Sequence, residues 1–131
     1  MNTATQPSRG KLWTGRVLSA IPVLFMIGGG IMSLGKPPQV VEGMKKFGYQ
    51  EESILLISIL EIGSALIYAI PQTAVLGAIL MTGYLGGAVA THVRINDPGW
   101  PMAVTMGVLV WLGLYLRDPR LTALVPLRKM E

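Results

Sequence analysis

Four long apolar stretches dominate the sequence, and short polar segments separate them. They cover residues 12–34, 53–70, 73–93 and 100–116. At about 1.5 Å per residue, helices of this length span ~25–35 Å, which matches the ~30 Å hydrocarbon core of a bilayer. A backbone in lipid has to satisfy its own hydrogen bonds, so each stretch is predicted to be a helix. The sequence therefore predicts an all-α integral membrane protein built as an antiparallel four-helix bundle.

The connections between the stretches are short, as antiparallel neighbours require. Pro71-Gln72 joins the second and third stretches, and residues 94–99 (RINDPG) form a polar turn before the fourth. The first loop, residues 36–52, is longer. It is predicted to contain a short amphipathic helix that lies in the membrane interface or plugs the mouth of the bundle, with an ordinary solvated loop helix as the alternative. The apolar face of this helix consists of Val40, Val41, Met44 and Phe47.

Basic residues predict the orientation of the bundle. With four spans, the N-terminus, the Pro71-Gln72 turn and the C-terminus share one side. That side carries seven basic residues: Arg9, Lys11, Arg16, Arg117, Arg120, Arg128 and Lys129. The opposite side carries four: Lys36, Lys45, Lys46 and Arg94. Because cytoplasmic loops are enriched in lysine and arginine, both termini are predicted to be cytoplasmic.

The predicted chain is a single membrane domain with two tails. We assign residues 1–10 to a disordered N-terminal tail, residues 11–128 to the four-span domain and residues 117–131 to a basic C-terminal tail. Arg9 and Lys11 precede an apolar run, as in a signal peptide. The run is long and no A-x-A site follows it, so an uncleaved span is favoured.

Composition narrows the function classes. Hydrophobic residues make up 51% of the chain and charged residues 14%, against about 25% charged in a soluble domain. Cysteine is absent, which excludes disulfides, thiol catalysis and thiolate metal ligands. No phosphate-binding glycine loop and no HExxH motif occurs, so no autonomous catalytic motif and no metal site are predicted. The net charge of +4 is explained by membrane topology and does not indicate nucleic acid as a partner.

Glu61 is the main candidate functional residue, because it lies near the middle of the second apolar stretch. A carboxylate at that depth costs roughly 2.5–3.5 kcal/mol on insertion scales and usually marks a functional site. Ser58, Glu61, Ser64 and Tyr68 form one polar stripe at helical spacing. Matching depths across the predicted hairpins brings further residues to the level of Glu61. The ligand-binding candidates are Glu61, Tyr84, Thr82, Trp111, Ser64 and Gly29, together with His92, which shares a helix face with Tyr84.

Residues at the ends of the spans have simpler interpretations. His92 and Arg94 stand about 15 Å along the helix axis from the level of Glu61. His92, the single histidine, is more typical of a hydrogen-bonded structural residue than of a metal ligand. Arg94 and Arg16 are predicted to be interfacial anchors, with an ion pair between Arg16 and Asp118 as the alternative for the latter.

Small residues of the third stretch predict close helix packing, either within one chain or between two copies. Gly83, Gly87 and Thr91 are spaced four apart, as are Gly86 and Ala90.

Several stretches of the sequence resemble a known protein family. The stretches GKLWTGRVLSAIPVLFMIGGGIMSLGKPPQVVEGMKKFGYQEE, ILEIGSALIYAIPQTAVLGAILMTGYLGGAVATHVR and LVWLGLYLRDPRL resemble the DoxX-like family of small bacterial membrane proteins. The similarity runs from about Lys11 to Arg128. The matching residues are Glu61, Gly83, Tyr84, Gly86, Gly87, His92 and Arg94. The resemblance implies a four-helix protein of the bacterial inner membrane, and it brings no catalytic assignment with it.

Three functions are compatible with these features. The resemblance extends to membrane subunits associated with thiosulfate:quinone oxidation and to receptor-assembly proteins. The first function is therefore a redox-associated subunit that binds a quinone or another lipophilic molecule near Glu61, with electrons supplied by a redox partner protein. The second is a structural or assembly factor without a ligand, acting with a partner or as a homo-oligomer. The third is a proton-coupled exporter, although small multidrug exporters carry their membrane glutamate in the first span.

Overall fold

The computed structural model describes residues 6–128 and residue 130, and within them the protein is all-α, with five helices and no strands. The helices are α1 (Arg9–Leu34), α2 (Pro38–Lys46), α3 (Ser53–Ala69), α4 (Ala74–Arg94) and α5 (Trp100–Arg117). Two 3-10 turns, Pro71–Thr73 and Pro119–Ala123, precede α4 and follow α5. Lys129 and the outer parts of both predicted tails lie outside the described residues.

The helix ends follow from local capping chemistry. Helix α1 begins at Arg9, inside the segment assigned to the N-terminal tail, because the side chain of Ser8 accepts a hydrogen bond from the backbone N–H of Lys11. Proline stands in the first turn of α2 and of α5, where its missing N–H costs nothing. Pro22 lies inside α1 and is buried.

Three helices are long and apolar enough to cross a membrane: α1, α5, and α4 together with its preceding 3-10 turn. Helix α3 is apolar but has only 17 residues, which is at the short end for a span. Helix α1 packs against α3 and α5, and α4 packs against the same two helices. The prediction of membrane-spanning helices is thus supported for three of the four stretches, and a span over the second stretch, residues 53–70, remains a prediction.

Small side chains set the closest helix contacts. A Cβ atom at Gly77 on α4 would collide with the backbone N and Cα of Tyr68 on α3. A Cβ atom at Gly113 on α5 would collide with Ser19 and lie 3.0 Å from the carbonyl oxygen of Gly15, both on α1. The helices therefore touch through backbone at these two crossings, as small residues permit in membrane proteins.

The glycines of the second half of α4 serve no such contact within the chain. Gly83, Gly86 and Gly87 are exposed, and a Cβ atom at any of them would meet nothing within 4 Å. Packing within one chain is therefore the wrong interpretation for these three residues. The same helix is packed tightly in its first half, where Ala74 and Ala78 are buried.

The first loop contains the predicted amphipathic helix, which is α2. Its predicted apolar residues Val40, Val41 and Met44 are half-buried, whereas Glu42 and Lys45 are exposed. No residue of α2 is fully buried. Helix α2 is held to the rest of the molecule mainly through the residues that follow it.

Candidate functional site

Glu61 lies at the middle of α3 and is half-buried between two neighbouring helices. A Cβ atom at Gly29 on α1 would stand only 3.1 Å from Glu61 Oε1, so the bare backbone of α1 borders the carboxyl group. On the other side, the Glu61 side chain interacts with the hydroxyl of Tyr84 on α4. Three helices thus meet around one acid, and these three residues are the candidate site.

The two serines of the polar stripe behave differently. Ser64 Oγ donates to the carbonyl oxygen of Glu61 in its own helix, at 3.1 Å. Ser58, one turn before Glu61, is 1% exposed, and its hydroxyl has no hydrogen-bond partner among the described residues. A buried hydroxyl without a partner costs about 1–3 kcal/mol, so Ser58 is a donor for which the described residues provide no acceptor.

Thr82 and Trp111 are brought together, but away from Glu61. The indole N–H of Trp111 donates to Thr82 Oγ1 at 2.7 Å, and Thr82 donates to the carbonyl of Ala78. Thr82 and Tyr84 are two residues apart, about 200° around the helix, so they face different neighbours. The predicted candidate residues therefore divide between an α1–α3–α4 site and an α4–α5 contact.

An apolar groove of about 870 Å³ runs along α5 beside this second contact. Its lining residues are Val104, Gly107, Val108, Trp111, Leu112, Tyr115, Leu121, Val125 and Pro126. Such a groove could not be predicted from the sequence, because a third of its lining residues come from the segment after α5.

His92 and Arg94 lie in a third region of the molecule, where the α4–α5 loop contacts the end of α2. Asp97 accepts hydrogen bonds from the backbone N–H of Gly99 at 2.9 Å, from His92 Nδ1 at 2.7 Å and from Lys46 Nζ at 3.2 Å. Arg94 donates to the carbonyl oxygen of Phe47. The ring of Phe47 packs edge-on against His92. These contacts connect two loops, which is a structural use of His92.

Tyr49 extends this polar region toward the candidate site. Its hydroxyl lies 3.1 Å from Thr91 Oγ1 on α4. The sequence does not indicate this contact, because Tyr49 follows α2 in a connecting segment without helical periodicity.

The carboxyl of Asp97 makes the junction between the loops dependent on pH. The Gly99 N–H, His92 and Lys46, in that order, lower the pKa of Asp97 from 3.8 to about 2. A lowered pKa means that the folded state favours the ionised form. The stabilisation is therefore present above the ordinary pKa and is lost as the pH falls toward about 2.

We expect Asp97→Asn to lower the thermal midpoint at neutral pH and to remove the loss of stability between about pH 4 and pH 2. The measurement is thermal unfolding followed across that pH range. Glu42→Gln, which changes an exposed carboxylate on α2, is the control and should keep the wild-type profile. Identical acid profiles for wild type and Asp97→Asn would contradict the assignment.

Arg16 and Asp118 each have a different partner from the one that the alternative interpretation gave them. Arg16 stacks over the ring of Trp13 at 5.1 Å, which fits an interfacial anchor. Asp118 pairs with Arg120, at 2.9 Å, so the alternative ion pair between Arg16 and Asp118 is not formed. Among the described residues, no group of three or more histidine, aspartate or glutamate side chains could hold a metal ion.

Comparison with known proteins identifies the family to which the chain belongs. No curated protein and no solved structure matches the chain. The model of the DoxX-like family matches residues 17–113, which include Glu61, Tyr84, Gly29 and His92. This match covers well over half of the sequence and includes all seven residues named for the resemblance above. The chain therefore belongs to the DoxX-like family.

Proposed function

We propose that the protein crosses the bacterial inner membrane four times as an antiparallel bundle and binds a quinone or a similar lipophilic molecule beside Glu61. The observation that carries this proposal is the position of Glu61 itself. Placing a carboxyl group in the middle of an apolar membrane helix costs free energy. Such a residue therefore usually marks a functional site. In this chain it lies beside the bare backbone at Gly29 and near Tyr84.

The groups around Glu61 suit both redox forms of a quinone. A quinone offers two carbonyl oxygens, which accept hydrogen bonds from a hydroxyl such as that of Tyr84. A quinol offers two hydroxyls, which donate to a carboxylate such as that of Glu61. The absence of a side chain at Gly29 leaves room for a flat ring against α1.

The proposed topology depends on treating α3 as a span. Its 17 residues extend about 25 Å, slightly less than the hydrocarbon core, and it packs between α1 and α4, both of which are long enough to cross. The three-residue turn before α4 and the packing of α3 against α4 support a hairpin of these two helices. The distribution of basic residues then favours both termini in the cytoplasm.

The proposed role is that of a membrane subunit. The sequence has no cysteine and one histidine, so we assign the electron-carrying group to a partner protein. The DoxX-like chain would provide the site where the lipophilic substrate is held. Its part in the reaction is to bind and orient the ring.

The test is to identify small molecules that copurify with the protein, by native mass spectrometry and lipid extraction. Wild type is compared with Glu61→Gln and with the control Glu52→Gln, an exposed carboxylate at the start of α3. We expect quinone in wild type and in the control, and at least a tenfold reduction in Glu61→Gln. A hydrogen bond to a charged group contributes about 1.5–3 kcal/mol, and about 1.4 kcal/mol already gives tenfold.

A specific observation favours a second candidate, a structural or assembly role. The exposed glycines Gly83, Gly86 and Gly87 leave the outer face of α4 open to close approach by another helix. The same experiment separates the two candidates. If neither wild type nor Glu61→Gln carries a small molecule and both are folded, quinone binding is contradicted and the assembly role is favoured.

A further inference from the structure

A polar pocket of about 400 Å³ lies at the end of the molecule that holds the Pro71–Thr73 turn. Its walls come from this turn, from the start of α4 and from the end of α5 with the residues that follow it. The polar groups that line it are Gln6, Gln72, Arg117, Asp118 and Arg120. It is distant from Glu61, which is separated from the turn by the second half of α3.

The charges of Asp118 and Arg120 are satisfied by each other. Arg120 donates from Nε to Oδ1 at 3.0 Å and from a terminal nitrogen to Oδ2 at 2.9 Å, and its backbone N–H also donates to Oδ1. The two side-chain bonds of Arg120 are the main reason that the pKa of Asp118 is lowered. The carboxylate stays ionised at neutral pH and cancels the charge of Arg120.

Arg117 therefore supplies the net charge of the pocket. Its Nε is buried and has no hydrogen-bond partner among the described residues. Its side-chain stem packs against Gly15, where a Cβ atom would collide with Cγ, and its guanidinium lies 5.5 Å from the ring centroid of Tyr68. The side chain is thus held in place by packing.

The guanidinium of Arg117 carries further N–H donors besides the buried Nε, and these are the donors that can act on a ligand in the pocket. A guanidinium presents its N–H groups in a planar fork that matches the oxygens of phosphate. Gln72 and Gln6 add amide donors to the same pocket, and the start of α4 contributes the positive end of a helix dipole.

We propose that this pocket binds a phosphate group, with Arg117 as the principal ligand and Gln72 as an additional donor. The group is a phosphodiester of an anionic lipid headgroup or a free phosphate, and both share the same chemistry. The pocket lies where α5 ends, so a headgroup at the membrane surface can reach it, and basic pockets at helix ends are known to hold anionic lipids. This proposal does not depend on quinone binding at Glu61.

The test compares the lipid retained by the purified protein and its response to free phosphate. Wild type, Arg117→Gln, Gln72→Leu and the control Arg128→Gln are reconstituted in bilayers that contain equal parts of phosphatidylglycerol and phosphatidylcholine. Native mass spectrometry then counts the lipids that stay bound after transfer to detergent. Thermal unfolding of delipidated protein with and without inorganic phosphate tests the soluble source.

We expect wild type and Arg128→Gln to retain phosphatidylglycerol in preference to phosphatidylcholine. Arg117→Gln should lose that preference by about tenfold and Gln72→Leu by less. Stabilisation of the delipidated wild type by inorganic phosphate, absent in the two pocket variants, would instead identify a free phosphate as the ligand.

Two results would overturn the proposal. One is the absence of both effects in wild type. The other is an equal loss of lipid preference in Arg128→Gln, which would indicate a diffuse basic surface. Gln72 is exposed and lies in a turn, so Gln72→Leu decides the question if Arg117→Gln fails to fold.

Discussion

Gly77→Ala is expected to destabilise the protein by about 2 kcal/mol or more. The added methyl group would overlap the backbone N and Cα of Tyr68, which cannot rotate away as a side chain can. Helices α3 and α4 would have to separate at their tightest contact. Overpacking costs typically 1–3 kcal/mol and occasionally more, and the better helix propensity of alanine returns at most ~1 kcal/mol. The measurement is equilibrium unfolding in mixed micelles, titrated with a denaturing detergent.

Gly83→Ala is the matched control for this prediction, because it makes the same chemical change six residues later on the same helix. Gly83 is exposed and a methyl group there meets nothing within 4 Å. The control should leave stability unchanged or raise it by up to ~1 kcal/mol. If the two variants unfold alike, the close crossing of α3 and α4 is not a feature of the folded protein.

Tyr68→Ala should have the second large effect, a destabilisation of about 3 kcal/mol. Tyr68 is the largest fully buried side chain among the described residues. Its hydroxyl oxygen lies 2.7 Å from the carbonyl oxygen of Val110 on α5 and 2.9 Å from Ser19 Oγ on α1. A phenol has one proton, which goes to the carbonyl, so the Ser19 hydroxyl donates to Tyr68. One residue of α3 thus binds two other helices.

The size of the effect combines lost packing and lost hydrogen bonds. Aromatic-to-alanine changes in protein cores cost 3–5 kcal/mol, and the lower end applies because an unfolded helix in lipid keeps its side chains out of water. Tyr68→Phe isolates the hydroxyl and should cost about 0.6–1.7 kcal/mol, the range of hydrogen bonds in membrane proteins. Tyr115→Phe, on a half-buried tyrosine of α5, is the control. Equal stability of Tyr68→Phe and wild type would contradict the buried hydrogen bonds.

The helices and the pairing of Glu61 with Tyr84 could be predicted from sequence. Long apolar stretches determine helices in a membrane protein, because no other structure satisfies the backbone. The two-residue connection between the second and third stretches then sets which residues share a level. Glu61 and Tyr84 are both polar in apolar helices, and both turn inward because lipid offers them no partner.

The sequence predicts that Thr82 and Trp111 lie at the same depth in the bundle, but it does not predict that their side chains face each other. Depth matching uses only the rise along each helix, whereas the direction of a side chain depends on how the helices are rotated about their axes. That rotation is set by contacts such as Gly77 with Tyr68 and Gly113 with Ser19, which involve residues far apart in sequence.

The roles of Asp97 and Arg117 were beyond sequence reasoning for a related reason. Asp97 is a charged residue in a connecting segment and Arg117 is one at the end of α5, and charged residues are ordinary at both kinds of position. Asp97 acquires its role from Lys46, 51 residues earlier in the chain. Arg117 acquires its role from Gly15 and Tyr68, on two different helices.

The short turn between α3 and α4 has a consequence for the synthesis of the protein. Helix α3 has 17 residues and an acid at its middle, so by itself it is a poor substrate for the translocon. The next segment, Pro71–Arg94, is 24 residues long and inserts readily. A three-residue turn joins the two helices and α3 packs along α4, so a crossing α4 favours a crossing α3. In the proposed topology, the second and third spans therefore enter the bilayer together as one hairpin, with Tyr84 available to Glu61 from the moment of insertion.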